Sequence, residues 1–253
     1  MPSNQIPYKD LKTIFLDAGN TLLSMDFAWL MEELKHYGVL CELPELCRAE
    51  AAARPMVSAE LQRLKSTENQ VTSLFYMRTI LKGLKCTSSM ADKEIDPIIE
   101  ALFKTIQAPG MIQRLWSNIL PGVREAIESL QRKDLKLVVV SNSNGTVEDI
   151  LTKVDLRQFF YRVVDSHVAG FEKPDPRLFY HALKISDAEP ETTLHIGDLY
   201  HVDVIGAWSA GLHAVLLDPF GDWQDFDCPR FIDLFDFANS FERLTDNTIG
   251  RRT

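Results

Sequence analysis

Five short apolar runs constrain this chain more than any other feature. They are Thr13–Asp17 (TIFLD), Lys136–Ser141 (KLVVVS), Tyr161–Asp165 (YRVVD), Thr193–Asp198 (TLHIGD) and His213–Asp218 (HAVLLD). None alternates polar with apolar residues. Each therefore reads as a strand covered on both faces, the habit of a parallel sheet. Amphipathic stretches accompany the later runs. Gly122–Lys133 precedes the second, Pro176–Ile185 lies between the third and fourth, and Tyr200–Ala210 links the fourth and fifth. Strands alternating with helices build right-handed βαβ units and a doubly wound α/β sheet.

The first run stands apart. From Leu22 to Ser117 there is no strand-like run, only helical spacing. Phe27, Leu30, Met31 and Leu34 form one apolar stripe, Leu74, Met77, Ile80 and Leu81 a second, and Ile98, Ile99, Leu102 and Phe103 a third. Asn69 and the Ala91-Asp92 turn are plausible helix starts. The expected organisation is a sheet unit of residues 1–23 and 118–253, interrupted by an all-helical insert of residues 24–117. Linkers are expected near Ser24–Phe27 and Trp116–Pro121, with Pro121-Gly122 marking re-entry into the sheet unit.

At 253 residues the chain can build a sizeable core without a disulfide or structural metal. Its four cysteines form no CxxC pair, so they read as free thiols of a reducing compartment. A net charge of -9 repels a phosphate backbone and argues against general nucleic-acid binding. The N-terminal MPSNQIPYKDLK has no apolar segment ahead of its lysines, and no run of about 18 apolar residues occurs. The expectation is a cytoplasmic protein without a membrane partner, a monomer or small homo-oligomer.

Ligands of an open α/β sheet bind beyond the carboxyl ends of its strands. The residues there are Asp17, Ser141-Asn142 and Asp198, with Lys173 in the loop after the third run. Singly, each has an ordinary reading. Asp17 suits a turn, Ser141 an ST-turn, Asp203 a helix cap, and a lone lysine is usually solvated. The two prolines in Lys173-Pro174-Asp175-Pro176 stiffen that loop and aim the lysine. Other residues read plainly: His195 faces core or helix, His167 and His201 sit near the rim, Trp208 is core. The stretch from Asp218 to Asp236 reads as a solvated loop with a last strand.

Together these motifs resemble the haloacid dehalogenase (HAD) superfamily of hydrolases. The four are Ile14-Phe15-Leu16-Asp17-Ala18-Gly19-Asn20-Thr21, Val138-Val139-Val140-Ser141-Asn142, Lys173-Pro174-Asp175-Pro176 and His195-Ile196-Gly197-Asp198, with Asp203 five residues on. The resemblance covers the whole chain. It implies a Rossmann-like core with a helical C1-type cap. It implies a small phosphorylated substrate and an aspartyl-phosphate formed on Asp17. It further implies Mg²⁺ held by the Asp17 and Asp198 carboxylates and the Gly19 carbonyl, with Asp203 orienting Lys173 or a metal-bound water. Ser141 and the Asn142 amide would hold a phosphoryl oxygen, and Lys173 would offset charge. The helix expected to start at Asn144-Gly145 would add a positive end.

One position departs from the pattern. Phosphatases of this kind carry a second Asp two residues after the first, and here that place is Gly19. General acid–base help of about 10²- to 10⁴-fold is missing from it. Three other readings follow. A 2-haloacid dehalogenase needs no leaving-group proton, but dispenses with the metal carboxylates. A phosphonoacetaldehyde-type hydrolase needs a cap lysine, for which Lys35, Lys65, Lys82, Lys85, Lys93 and Lys104 are available. A weakly active phosphate-binding or regulatory protein needs neither. His36 and Tyr37 are candidate proton donors from the cap.

Overall fold

The computed structural model describes residues 6–64 and 66–246, apart from the side chains of residues 62, 64 and 246. Of the N-terminal stretch read above, residues 1–5 lie outside the described residues.

All five apolar runs are strands. They form β1 (Thr13–Leu16), β4 (Lys136–Ser141), β5 (Arg162–Asp165), β6 (Thr193–Gly197) and β7 (His213–Leu217). A two-residue strand, β8 (Arg230–Phe231), completes an all-parallel sheet in the order β5-β4-β1-β6-β7-β8. Its place within Asp218–Asp236 matches the last strand expected there. Successive residues send their side chains to opposite faces. Ile14, Leu16, Val139 and Ile196 pack on one face with α6 (Val123–Gln131) and α11 (Leu234–Asp246). Phe15, Val138 and Val140 pack on the other with α9 (Pro176–Ser186) and α10 (Ile205–Ser209). Two covered faces explain why the runs carry no polar alternation.

A small antiparallel pair of strands, β2 (Leu23–Ser24) with β3 (Asn118–Ile119), ties off the intervening segment. The sequence showed no strand there, because two residues carry no period. Between them run five helices: α1 (Phe27–His36), α2 (Leu43–Leu64), α3 (Gln70–Lys82), α4 (Asp92–Ile106) and α5 (Met111–Leu115). Asn69 caps α3 by accepting the Thr72 N–H at 2.8 Å, and α4 follows Ala91. The helices share a core of their own around Leu30, Leu34, Ile80, Leu81, Ile99 and Leu102. Helix α2 was not legible in the apolar spacing. Its inward face buries Glu50 and Arg54 among small alanines, which breaks the stripe.

Two further differences concern loop geometry. The helix expected from Tyr200 begins as a π-helical turn, Tyr200–Val204, before α10. The helix expected at Asn144-Gly145 starts at Val147 as α7 (Val147–Lys153). Its leading amides are already engaged, since the Asp165 carboxylate accepts the N–H groups of Gly145 and Val147 at 3.1 and 3.4 Å. That helix end is therefore not a free anion site.

Candidate active site

The sheet order places β1 between β4 and β6, so the chain reverses direction of travel across β1. A crevice opens at such a switch point. Asp17 leaves the end of β1, Ser141 ends β4, and Asp198 follows β6. The backbone holds Asp17 through its N–H, which donates to Ile196 O at 2.9 Å.

Lys173 is fully enclosed at this rim. Its Nζ donates to Asp17 Oδ1 and to Asp203 Oδ1, each at 2.7 Å. The lysine backbone is clamped by Asn142, whose Oδ1 accepts the Lys173 N–H at 2.7 Å and whose Nδ2 donates to Lys173 O at 2.9 Å. The adjoining Lys173–Pro174 peptide is cis. Asn142 Nδ2 also donates to Thr67 Oγ1 at 2.8 Å, tying β4 to the loop between α2 and α3. Ser141 Oγ donates to Asn142 O at 3.2 Å.

Asp203 is saturated. Its Oδ1 also meets His195 Nε2 at 2.9 Å, and its Oδ2 accepts the Leu199 N–H at 2.9 Å. His195 is wholly buried edge-on to Phe179, and burial pulls its pKa down, so it is neutral and Nε2–H donates. His195 is thus a core residue that also orients Asp203. Burial opposes ionisation of Asp203, but Lys173 and His195 outweigh it and hold the carboxyl below its usual range.

Asp17, Asp198 and Asp203 each present a carboxylate oxygen within 4.8 Å of the others. Burial raises the Asp17 pKa, against the pull of Lys173. The same desolvation, with the neighbouring carboxylates, pushes Asp198 up to about 8, although Arg54 pulls it down. Asn20, in a left-handed conformation at φ 52°, donates from Nδ2 to Asp198 Oδ2 at 3.2 Å, while its Oδ1 is buried without a partner. Clustered hard oxygens and an orphaned amide oxygen are a donor set suited to a divalent cation such as Mg²⁺.

The helical insert reaches this centre through residues not singled out in the sequence. Glu50 and Arg54, one turn apart on α2, pair doubly at 2.9 and 2.6 Å. Arg54 Nε lies 3.6 Å from Asp198 Oδ2. Glu50 Oε1 also accepts Asn20 Nδ2 at 3.1 Å and the Tyr76 hydroxyl. Their signal, an i,i+4 Glu–Arg pair, is common on solvated helices and gave no cue to burial.

A cavity of about 460 Å³ extends from Asp17, Lys173 and Asp198 beneath the insert. The cap lysines Lys35, Lys82, Lys85, Lys93 and Lys104 do not line it, nor do His36 and Tyr37; Lys65 lies outside the described residues. Glu68 does line it, and desolvation with the nearby Glu172 carboxylate pushes its pKa up to about 7. His201 Nδ1 instead meets Ser58 Oγ at 3.1 Å, and His167 packs against Gly145. Trp208 is only half-buried, against Tyr200. Gly19 faces Trp116: a Cβ there would lie 3.3 Å from Cζ3 of the indole.

Comparison with known proteins agrees with this geometry. Residues 11–211 match the haloacid dehalogenase-like hydrolase family. The chain is 40% identical over 123 residues to haloacid dehalogenase-like hydrolase domain-containing protein 3 of Bos taurus, 49% of this chain and 47% of that one. It is 32% identical over 99 residues to glyceraldehyde 3-phosphate phosphatase of Methanothermobacter thermautotrophicus, 39% of this chain and 44% of that one. The chain spans about half the length of the curated relatives it matches. Among solved structures, the magnesium-bound HAD-hydrolase YfnB of Bacillus subtilis superposes with a TM-score of 0.62 at 18% identity, over 92% of this chain and 99% of that one.

Proposed function

Because this chain belongs to the haloacid dehalogenase-like hydrolases, we propose that it hydrolyses phosphate monoesters of small molecules, with Asp17 as nucleophile. The observation that carries the reading is the Lys173 bridge between Asp17 and Asp203, at 2.7 Å to each. It holds one Asp17 oxygen, orients the other and brings a fixed positive charge to where phosphoryl oxygens would sit. The phosphatase name of the archaeal relative supports the same chemistry.

In this reading Asp17 attacks phosphorus and the ester oxygen departs with its bonding pair. Water then attacks the aspartyl-phosphate, releasing inorganic phosphate and the free carboxylate. Ser141 and the Asn142 amide hold a phosphoryl oxygen. Asp203 and Asn142 fix Lys173 from its two ends. Mg²⁺, held by the Asp17 and Asp198 carboxylates and the Gly19 carbonyl, supplies charge neutralisation when bound. Residues 24–117 act as the cap that keeps bulk water from the cavity.

Two rival chemistries are less favoured by the site. A dehalogenase would leave Asp198 without a task. A phosphonoacetaldehyde-type hydrolase needs a cap amine, and among the described residues Lys173 is the only lysine lining the cavity. The test is turnover of p-nitrophenyl phosphate with and without Mg²⁺, beside chloroacetate and phosphonoacetaldehyde. Metal-dependent release of phosphate, lost in Asp17→Asn, is expected. Halide release, or activity unchanged in Asp17→Asn, would sink the reading.

A further inference from the structure

The cavity has two chemically different ends. Asp17, Lys173 and Asp198 form the polar one. The far wall is apolar and comes mostly from the insert: Met25, Met77, Phe103, Ile106, Leu115 and Trp116. Three hydroxyls of the lining already use their protons within the protein. Thr72 Oγ1 donates to Ser66 O at 2.6 Å, Ser73 Oγ to Asn69 O at 3.2 Å, and the Tyr76 hydroxyl to Glu50. Among the described residues, Lys173 is the only cationic side chain lining the cavity. Gln70 and Gln107 also line the cavity, but apolar side chains make up most of that wall, so a sugar chain would leave many of its hydroxyls unpaired. A second carboxylate or phosphate on the leaving group would meet no opposite charge. Unpaired polar groups in such a setting are costly to bury.

The leaving-group side also has no acid at Gly19. A side chain there would press on Trp116, whose ring lies 3.3 Å from a Cβ at that position. An oxygen leaving toward that wall meets the indole of Trp116 where the second aspartate would stand. Without an acid at that position, departure is easiest for an oxygen that is stable as an anion. An apolar wall and an unassisted departure together describe one kind of ester.

We propose that the substrates are phosphate monoesters of apolar aromatic alcohols, bound with the ring against Phe103, Met77 and Trp116. This rests on the phosphatase reading and narrows it. The bond formed is Asp17 Oδ to phosphorus. The bond broken is phosphorus to aryl oxygen, and the electron pair leaves on the aryloxide, which is protonated later by solvent.

The test compares kcat/KM across phenyl phosphates of graded phenol acidity, hexyl phosphate, glycerol phosphate and acetyl phosphate, all with Mg²⁺. The expected result is a steep rise with phenol acidity. Phenyl phosphate should exceed hexyl and glycerol phosphates by about 100-fold or more, the lower range of a missing general acid. Phe103→Ser should lower kcat/KM for phenyl phosphate about ten-fold more than for acetyl phosphate, as loss of pocket contact does. Phe103 is half-buried, so the variant is expected to fold. Glycerol phosphate turned over as well as phenyl phosphate, or equal losses for both substrates in Phe103→Ser, would overturn the inference while the phosphatase reading stands. No phosphate turned over at all would remove both.

Discussion

Asp203 lies directly against the bare backbone of Gly197: a Cβ on Gly197 would come within 2.2 Å of Asp203 Cγ. The close approach lets the carboxylate meet Lys173, His195 and the Leu199 N–H together. Gly197→Ala should push Asp203 aside and cost about 1 to 3 kcal/mol, as overpacking does. Phosphatase turnover should fall with it, as it should in Asp203→Asn, where the amide nitrogen would face one of the donors that the two carboxylate oxygens now accept. Thermal melting and p-nitrophenyl phosphate assays of the two variants check this. Equal activity in the alanine variant and the parent would contradict it.

The Glu50–Arg54 pair is buried and shared with Asn20, Tyr76 and Asp198. Arg54→Leu leaves carboxylates without their counter-charge, so a loss of about 3 to 5 kcal/mol is expected. Removing both partners, Glu50→Met with Arg54→Leu, should cost less than the sum of the single changes. Urea denaturation of the four proteins gives the coupling directly.

Gly19 has a conformation open to other residues, but a Cβ there would be tight against Trp116. Gly19→Asp alone should destabilise the protein and leave hexyl phosphate a poor substrate, since Trp116 blocks the new side chain. Gly19→Asp with Trp116→Ala relieves that contact, while loss of the indole from the two cores it touches costs about 3 to 5 kcal/mol of its own. The double variant should hydrolyse hexyl phosphate faster, by up to the roughly 10²-fold a positioned acid supplies. Steady-state rates of the parent, single and double variants decide it.

Cys228 is buried, and burial pushes its thiol up to about 11. The thiolate is the reactive form, so about one Cys228 in a thousand is ionised at pH 8. Raising the pH toward 11 should increase its alkylation about ten-fold per unit while the fold holds. Cys86 is exposed and should react first. Mass spectrometry after iodoacetamide treatment at pH 8, native and in denaturant, should show Cys228 modified only when unfolded.

The sheet was legible because a doubly covered strand leaves a continuous apolar run, and the rim residues follow from where those runs stop. Asp17, Ser141 and Asp198 stand where three of the runs stop, and Lys173 stands in the stiff proline loop beyond a fourth. The insert was only partly legible. Its apolar stripes marked α1, α3 and α4, whereas α2 turns a charged pair inward and so carried no stripe. Beyond the local Glu50–Arg54 pair, Asn20, Glu50 and Tyr76 meet one another and Asp198 across 26 to 178 positions, which no local period encodes. His195 read as core, and its bond to Asp203 depends on the π-helical turn that folds back beneath β6.

Helix α2 carries Arg54 beside Asp198 and, within two further turns, Val57 and Leu61 on the cavity wall. Those two side chains pack against Val202 in the turn after β6. One helix, with Pro55 between the two stations, therefore bears both a counter-charge for the carboxylates and part of the leaving group's greasy enclosure. A tilt of that helix as a whole would withdraw the guanidinium and unseal the enclosure in a single stroke. Solvent entry and the electrical balance at the nucleophile are mechanically geared to each other.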